Sequence, residues 1–152
     1  MYKKDSPATT LQCDLSTIKL PRGCQLIELP NVGDERGELC FLEGMRHIPF
    51  KVERVFWTYN VRKDAVRGNH AHRTCSMVLF AVGGQLTIDL DDGETYVALR
   101  MDRPNVGILI PPFVWSRQFD FEEHAACVCL ASTPYEPDDY IYRFEEIDNH
   151  EL

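Results

Sequence analysis

Arg67-Gly68-Asn69-His70-Ala71-His72, followed by the apolar stretch Ser76-Met77-Val78-Leu79-Phe80-Ala81-Val82 and then by Gly83-Gly84, is the part of the chain whose reading decides the fold. Residues two apart on an extended strand project to the same face, so His70 and His72 point the same way, roughly 7 Å apart along the backbone. The run from His70 to Val82 has no helical period and is rich in strand-forming residues, and Gly83-Gly84 supplies the positive φ that a tight hairpin needs. Outward from it the same rhythm repeats in short runs at Cys24–Leu29, Glu38–Leu42, Val52–Asn60, Gln85–Leu90, Thr95–Leu99, Val106–Ile110, Val114–Phe121 and Ala125–Ala131. Turn signals separate them at Asn31-Val32-Gly33-Asp34, Asp91-Asp92-Gly93, Arg103-Pro104-Asn105 and Glu122-Glu123-His124. This spacing predicts an all-β barrel or sandwich.

The 152 residues suit one domain with a core of its own. Residues 1–12 are polar, include Pro7 and lack any period, so they are expected to form a flexible arm or an edge strand exchanged with a partner, with 13–152 as a single barrel domain. Near the other end, Asp138 to Glu146 reads as one short helix capped by Asp138 after the turn at Tyr135-Glu136-Pro137. Sixteen basic against 24 acidic residues give a net charge of −8, which argues against a general nucleic-acid binder or a protein of anionic membranes. An anionic ligand would have to be held by local arginines. The N-terminus shows no export signal and no run is long and apolar enough to span a membrane, so the cytoplasm is the expected compartment. The six cysteines, Cys13, Cys24, Cys40, Cys75, Cys127 and Cys129, are accordingly read as free thiols.

Three roles are open to the histidine pair. Core hydrogen bonds would need two polar rings side by side to be satisfied inside a barrel, which is costly. A residual metal site would have only two of the usual ligands. General acid–base work in a ligand cavity suits a group that titrates near neutral pH, and this role is favoured. Asp34-Glu35-Arg36-Gly37 places a guanidinium on a turn where it could grip a phosphate or carboxylate in bidentate fashion. Arg54-Val55-Phe56-Trp57-Thr58-Tyr59 puts Phe56 and Thr58 on one face and Trp57 and Tyr59 on the other, one expected to be core and the other a stacking wall for a base or sugar.

Gly68 with His-x-His and a later glycine resembles the first motif of the cupin superfamily, small β-barrels in which this strand lines the interior. The metal-binding members carry a glutamate where this chain has Ser76 or Met77, and a second histidine motif where it has Ser116, so no metal is expected. Together, Asp34-x-Arg36-Gly37, Ile48-Pro49-Phe50, Arg54-Val55-Phe56-Trp57, Arg67-Gly68-x-His70-Ala71-His72, Leu90-Asp91-Asp92-Gly93, Pro111-Pro112-x-Val114-Trp115, Leu130-Ala131-Ser132 and Asp139-Tyr140-Ile141 resemble the nucleotide-sugar 3,4-ketoisomerases, including the ketoisomerase domains of lipopolysaccharide-biosynthesis proteins. The resemblance covers roughly residues 25 to 147.

It implies a cupin-type β-barrel or jelly roll, homodimeric and cofactor-free, that moves the ketone of a dTDP-4-keto-6-deoxyhexose from C4 to C3. The product would pass to an aminotransferase in deoxyamino-sugar biosynthesis for O-antigen or a similar glycan. By motif, His70 and His72 carry the catalysis, with His70 as the base, and Arg36 and Arg67 contact substrate, with Arg54, Tyr59 and Trp115 counted alongside them. The chemistry is internally neutral, so no redox cofactor is needed. Phe56 departs from the family, which often has a tyrosine there to shuttle a hydroxyl proton; Thr58, Tyr59, a substrate hydroxyl or water are the alternatives. Competing readings are a nucleotide-sugar 3,5-epimerase, whose His–Asp–Tyr pattern differs from His-Ala-His, a metal-dependent cupin oxygenase, and a non-catalytic sugar-nucleotide-binding module.

Overall fold

The computed structural model describes residues 7–11 and 14–148. Thirteen strands follow in chain order: β1 (Thr9–Thr10), β2 (Gln25–Glu28), β3 (Asn31–Asp34), β4 (Gly37–Cys40), β5 (Arg54–Thr58), β6 (Val66–His72), β7 (Met77–Val82), β8 (Leu86–Asp91), β9 (Tyr96–Met101), β10 (Val106–Ile110), β11 (Trp115–Phe119), β12 (Ala126–Ala131) and β13 (Tyr140–Ile141). One helical turn, α1 (Glu145–Asp148), comes last. Six strands form a sheet in the order β1-β9-β8-β11-β6-β13, five form a second in the order β2-β10-β7-β12-β5, and β3–β4 is a separate hairpin.

The two large sheets face each other across one apolar core. Leu86, Ile88 and Leu90 of β8 and Leu99 and Met101 of β9 meet Leu79 and Ala81 of β7, Ile108 and Ile110 of β10 and Cys127 and Cys129 of β12. Alternation sets the faces: on β12, Cys127, Cys129 and Ala131 are buried inward while the residues between them are partly covered. A second apolar layer around Val78, Phe80 and Leu109 covers the back of the five-stranded sheet. Gly107 is what lets it close, because a Cβ there would sit 2.4 Å from the Phe80 ring.

Three expectations change. The run His70–Val82 is two strands in two different sheets: β6 ends at His72, and the chain turns a corner through Arg73–Ser76 before β7. Polar Arg73-Thr74 interrupts the strand chemistry there, and the backbone N–H groups of Thr74 and Cys75 donate to the Asp139 carboxylate instead of to a neighbouring strand. The stretch 138–146 is not one helix. Pro137–Asp139 is a single 3-10 turn, Tyr140–Ile141 pairs with β6, and α1 is brief, because the sequence alternates Tyr140, Ile141, Tyr142 in the two-residue period of a strand. Residues 1–12, expected as a flexible or exchanged arm, lie partly outside the described residues; within them Thr9–Thr10 pairs in parallel with β9 and Leu11 is fully buried in the core. Asn31–Asp34 is likewise a strand of the β3–β4 hairpin, with the turn moved to Glu35-Arg36.

Ile141 anchors the C-terminal seam. It is wholly buried against Ala71, Trp115 and Ile147, on the outer side of β6. Ile141→Ala is expected to cost about 3 kcal/mol, the usual loss for truncating a buried aliphatic side chain, as read by urea unfolding.

Candidate active site

β6 brings the two histidines together as its alternation requires. Ser116 of β11 pairs with both His70 and the core residue Leu90, so His70 faces the barrel interior, and Ala71 faces outward into the Trp115–Ile141 cluster. The imidazole rings stand edge to face with centroids 5.0 Å apart. The Cα partners step from Ser116–His70 to Arg117–Gly68, so Asn69 has no partner on β11 and β6 carries a bulge. Gly68 and Asn69 take left-handed φ values of 74° and 64° to make it, and a Cβ on Gly68 would meet the Gln118 side chain and the Ser116 carbonyl at 2.9–3.0 Å.

The bulge also aims a carbonyl at the first histidine. Nδ1 of His70 lies 3.0 Å from the Gly68 carbonyl oxygen, which only accepts, so Nδ1 carries the hydrogen and Nε2 the lone pair. Burial, with the neighbouring His72 adding to it, pushes the His70 pKa down to about 4. His72 is 5% exposed and donates from Nδ1 to Oδ2 of Asp139 at 3.1 Å. Burial lowers its pKa as well, outweighing the pull of Asp139, and Arg54 adds to the lowering.

Asp139 accepts more than this. Its Oδ1 takes the Thr74 N–H and hydroxyl, each at 2.7 Å, and its Oδ2 the Cys75 N–H at 3.3 Å. Burial alone would raise the Asp139 pKa, but these hydrogen bonds and the one from His72 hold it below the ordinary carboxylate value. His72, Cys75 and Asp139 are close enough to suggest a metal site. Their chemistry does not fit one: the carboxylate lone pairs are taken by four protein donors, and the Cys75 thiol is turned to the Ser76 carbonyl.

Facing the pair from β13, Tyr140 stands in register with His72, its ring centroid 4.5 Å from His72 and 4.9 Å from His70. Tyr142 stacks on Tyr140 with an interplanar angle of 13°. From β5, the Arg54 guanidinium lies over the rings of Phe56 and Tyr135, 5.2 and 5.6 Å from their centroids. Arg54 Nε, Thr58 Oγ1 and His72 Nε2 are buried without a hydrogen-bond partner. Buried polar atoms are nearly always satisfied, so these three, gathered on β5 and β6, are open to a hydrogen bond from a ligand or water.

Of the residues expected at the site, His70, His72 and Arg54 come together. Arg67 returns to the face of His70 because the bulge shifts the alternation, and it lines a pocket of about 390 Å³ with Thr58 and Tyr59. Three expected contacts stand away from the histidine pair within the chain. Trp115 is buried on the opposite face of β11, against Ala71 and Ile141, with its indole N–H 3.3 Å from Oδ1 of Asn69; the alternation that turns Ser116 inward turns Trp115 out. Tyr59 is 62% exposed beyond the end of β5, on the outer side with Trp57. Arg36 sits on the detached hairpin and is bound to Asp34 at 2.6 Å, both exposed. Asp139 and Tyr140, read from the sequence as helical, are the neighbours of the histidine pair that the candidate residues omitted; the signal was the aromatic alternation Tyr140–Tyr142 around apolar Ile141.

Residues 22–151 match the family described as WxcM-like, C-terminal (FdtA). The chain belongs to this family. It is 31% identical over 126 residues to the TDP-4-oxo-6-deoxy-alpha-D-glucose-3,4-oxoisomerase of Aneurinibacillus thermoaerophilus, covering 83% of this chain and 91% of that protein. Among solved structures it is similar to a histidine-to-asparagine variant of the 3,4-ketoisomerase QdtA from Thermoanaerobacterium thermosaccharolyticum, in complex with TDP-4-keto-6-deoxyglucose. That likeness has a TM-score of 0.81 at 32% identity, over 84% of this chain and 93% of that one. The rmlC epimerase of Mycobacterium tuberculosis, at 15% identity and a TM-score of 0.68 over 80% and 70% of the two chains, shares the fold alone. The fold is thus the all-β cupin barrel expected from the His-x-His strand.

The lowered pKa values give a direct test on the free WxcM-like chain. Between pH 6.5 and about 4 the unfolded chain binds a proton at His70 that the folded chain refuses, so stability falls as pH falls through that window. NMR titration should show the His70 ring changing charge near pH 4, and His70→Gln should flatten the loss of stability between pH 6.5 and 4. A ring that titrates near 6.5 would contradict the burial described here.

Proposed function

We propose that this chain is a sugar 3,4-ketoisomerase, moving the ketone of a dTDP-4-keto-6-deoxyhexose from C4 to C3 through an enediol. The observation that carries the reading is the pair of neutral, Nδ1-anchored histidines beside three unsatisfied polar atoms on the inner faces of β5 and β6. Its 3,4-oxoisomerase and 3,4-ketoisomerase relatives support the substrate class.

The C4 carbonyl acidifies the hydrogen on C3. Nε2 of His70, unprotonated because Nδ1–H is committed to Gly68, removes that hydrogen and returns it to C4, while the hydroxyl hydrogen leaves O3 and one is gained at O4. A bound diphosphate would raise the His70 pKa by its charge, strengthening a base that burial alone keeps weak. Arg54 supplies positive charge beside the pair. Arg67 suits a phosphate or sugar further along the same face. No redox group is needed because the hydrogens only change position. The product, a 3-keto sugar nucleotide, suits an aminotransferase in cytoplasmic deoxyamino-sugar synthesis for O-antigen.

Homodimerisation fits two exposed surfaces. Val55, Trp57 and Tyr59 form an apolar stripe on edge strand β5, and Val32 and Leu39, each about 60% exposed, project from the hairpin that carries Arg36. If Arg36 contacts substrate, it does so from a second copy. Arg36→Ala should then weaken TDP-sugar binding by about 2–3 kcal/mol, the range for a lost charge-assisted contact. Mixing it with His70→Asn chains should restore turnover above either variant alone; no complementation would confine Arg36 to its own surface.

The main test is incubation with dTDP-4-keto-6-deoxyglucose in D₂O. Deuterium exchanged onto the His70 imidazolium between the two transfers should appear at ring carbon C4 of a 3-keto product, and His70→Asn should cut turnover by about 10²–10⁴-fold while TDP affinity stays within twofold. TDP binding without product or exchange would make the chain a non-catalytic binding module.

A further inference from the structure

We propose that Tyr140 is the acid that protonates O4 and the base that collects the proton from O3. The inference rests on the ketoisomerase reading and names a group that reading lacks. Moving a ketone between neighbouring carbons needs two transfers: a carbon-bound hydrogen from C3 to C4, and an oxygen-bound one from O3 to O4. His70 has one free nitrogen, Nε2, and it is occupied with the first. His72 cannot open the second. Its single hydrogen is on Nδ1 and is held by the ionised Asp139, so its Nε2, buried and unpartnered, has a lone pair to offer and no proton to give. Phe56, on the inner face of β5 under Arg54, has no hydroxyl.

Tyr140 has what both lack. β13 places it directly across from His72 and within 4.9 Å, ring to ring, of His70. The Arg54 guanidinium lies beside the phenol, and its charge favours the phenolate. A guanidinium has donors only, so Arg54 takes no hydrogen from the phenol, which keeps its own for a further acceptor. Arg54 would also stabilise the phenolate that forms when that hydrogen leaves. The charged and titratable groups around the phenol are Arg54 on β5, His70 and His72 on β6, and Tyr135 and Tyr142 on its own segment, with Asp139 next in the chain and facing His72. Burial, opposed by Arg54, holds the phenol above its ordinary pKa, so it enters the reaction protonated.

The steps balance. As His70 Nε2 takes the hydrogen from C3 and the C3–C4 double bond forms, Tyr140 gives its hydrogen to O4, leaving an enediol, a phenolate and an imidazolium. The phenolate then takes the hydrogen from O3, C3 becomes the carbonyl, and the imidazolium gives its hydrogen to C4. Both residues end as they began, and the sugar has gained and lost nothing but position.

Tyr140→Phe keeps the ring that packs on both histidines and removes only the hydroxyl. In the full chain it should lower kcat by about 10²-fold or more with KM and TDP affinity within twofold, since the group acts on protons in transit rather than on binding. Replacing Tyr140 with 3-fluorotyrosine, whose phenol is more acidic, should move the alkaline limb of kcat/KM to lower pH while leaving the acid limb in place. A Tyr140→Phe variant retaining a third or more of wild-type kcat overturns the proposal, as does an alkaline limb that fluorination fails to move. Loss of kcat accompanied by equal loss of TDP affinity and a lowered unfolding midpoint assigns Tyr140 to structure instead, and also overturns it. A wild-type chain that binds TDP without turnover rejects the ketoisomerase reading itself, an outcome separate from any behaviour of the variants.

Discussion

One carboxylate holds the corner on which the site is built. Asp139 accepts from the Thr74 hydroxyl, from the Thr74 and Cys75 N–H groups and from His72, and is itself nearly buried. A buried charge without such partners would be strongly unfavourable, and a corner whose N–H groups left both sheets without an acceptor would be too. Each solves the other's problem. The chain can leave the six-stranded sheet at His72 and enter the five-stranded sheet at Met77 because those N–H groups have an acceptor waiting, and the acceptor is satisfied because the corner is there. The tilt and tautomer of His72 follow from the same contact.

The electrostatics are local. The chain carries a net charge of −8, yet the charged groups acting on His72 are Arg54 and the fully engaged Asp139, and Arg67 shares the face of His70. The two imidazoles sit 5.0 Å apart, burial disfavours charge on both and His72 lowers the tendency of His70 to carry a proton, so the pair is disposed to be neutral before substrate arrives and to hold one charge during the reaction. Hydrogen bonds from Nδ1, to a carbonyl in one ring and a carboxylate in the other, give the two rings the same tautomer with different electronic support. Carbonyl-backed His70 is the easier to leave neutral. Carboxylate-backed His72 is the better able to bear charge.

Much of this was legible in the sequence for a simple reason: strand alternation is local. His70 and His72 had to share a face, Cys127 and Cys129 had to share another, and Phe56 had to accompany Arg54 and Thr58. Trp115 was misjudged because its neighbour Ser116, not Trp115, takes the inward position; which parity is inward depends on pairing with β6 and β8, and no local signal in β11 states it. The bulge at Gly68-Asn69 is a second case, shifting Arg67 to the side that simple counting denies it. Asp139 and Tyr140 were hidden differently. The partners of Asp139 are 64 to 67 residues away, and acidic, aromatic residues after a proline look like a helix start until the partner strand is known. Arg36 shows the remaining gap, since a residue on a hairpin that joins neither large sheet has its surroundings decided by another surface.

β13 is only two residues long, but it follows the twelve other strands in the chain and brings Asp139 and Tyr140 to the histidines. The barrel sheets can close from β1 to β12 before Asp139 and Tyr140 emerge, since neither belongs to the main core. Until they arrive, His72 lacks its carboxylate and the Thr74–Cys75 corner lacks its acceptor. The site is therefore gated by emergence of the segment after β12: a barrel made only that far has both histidines on a formed strand and no means of fixing either the tautomer of His72 or the phenol opposite it. Activity thus reports on the integrity of the C-terminal segment more sharply than the fold does.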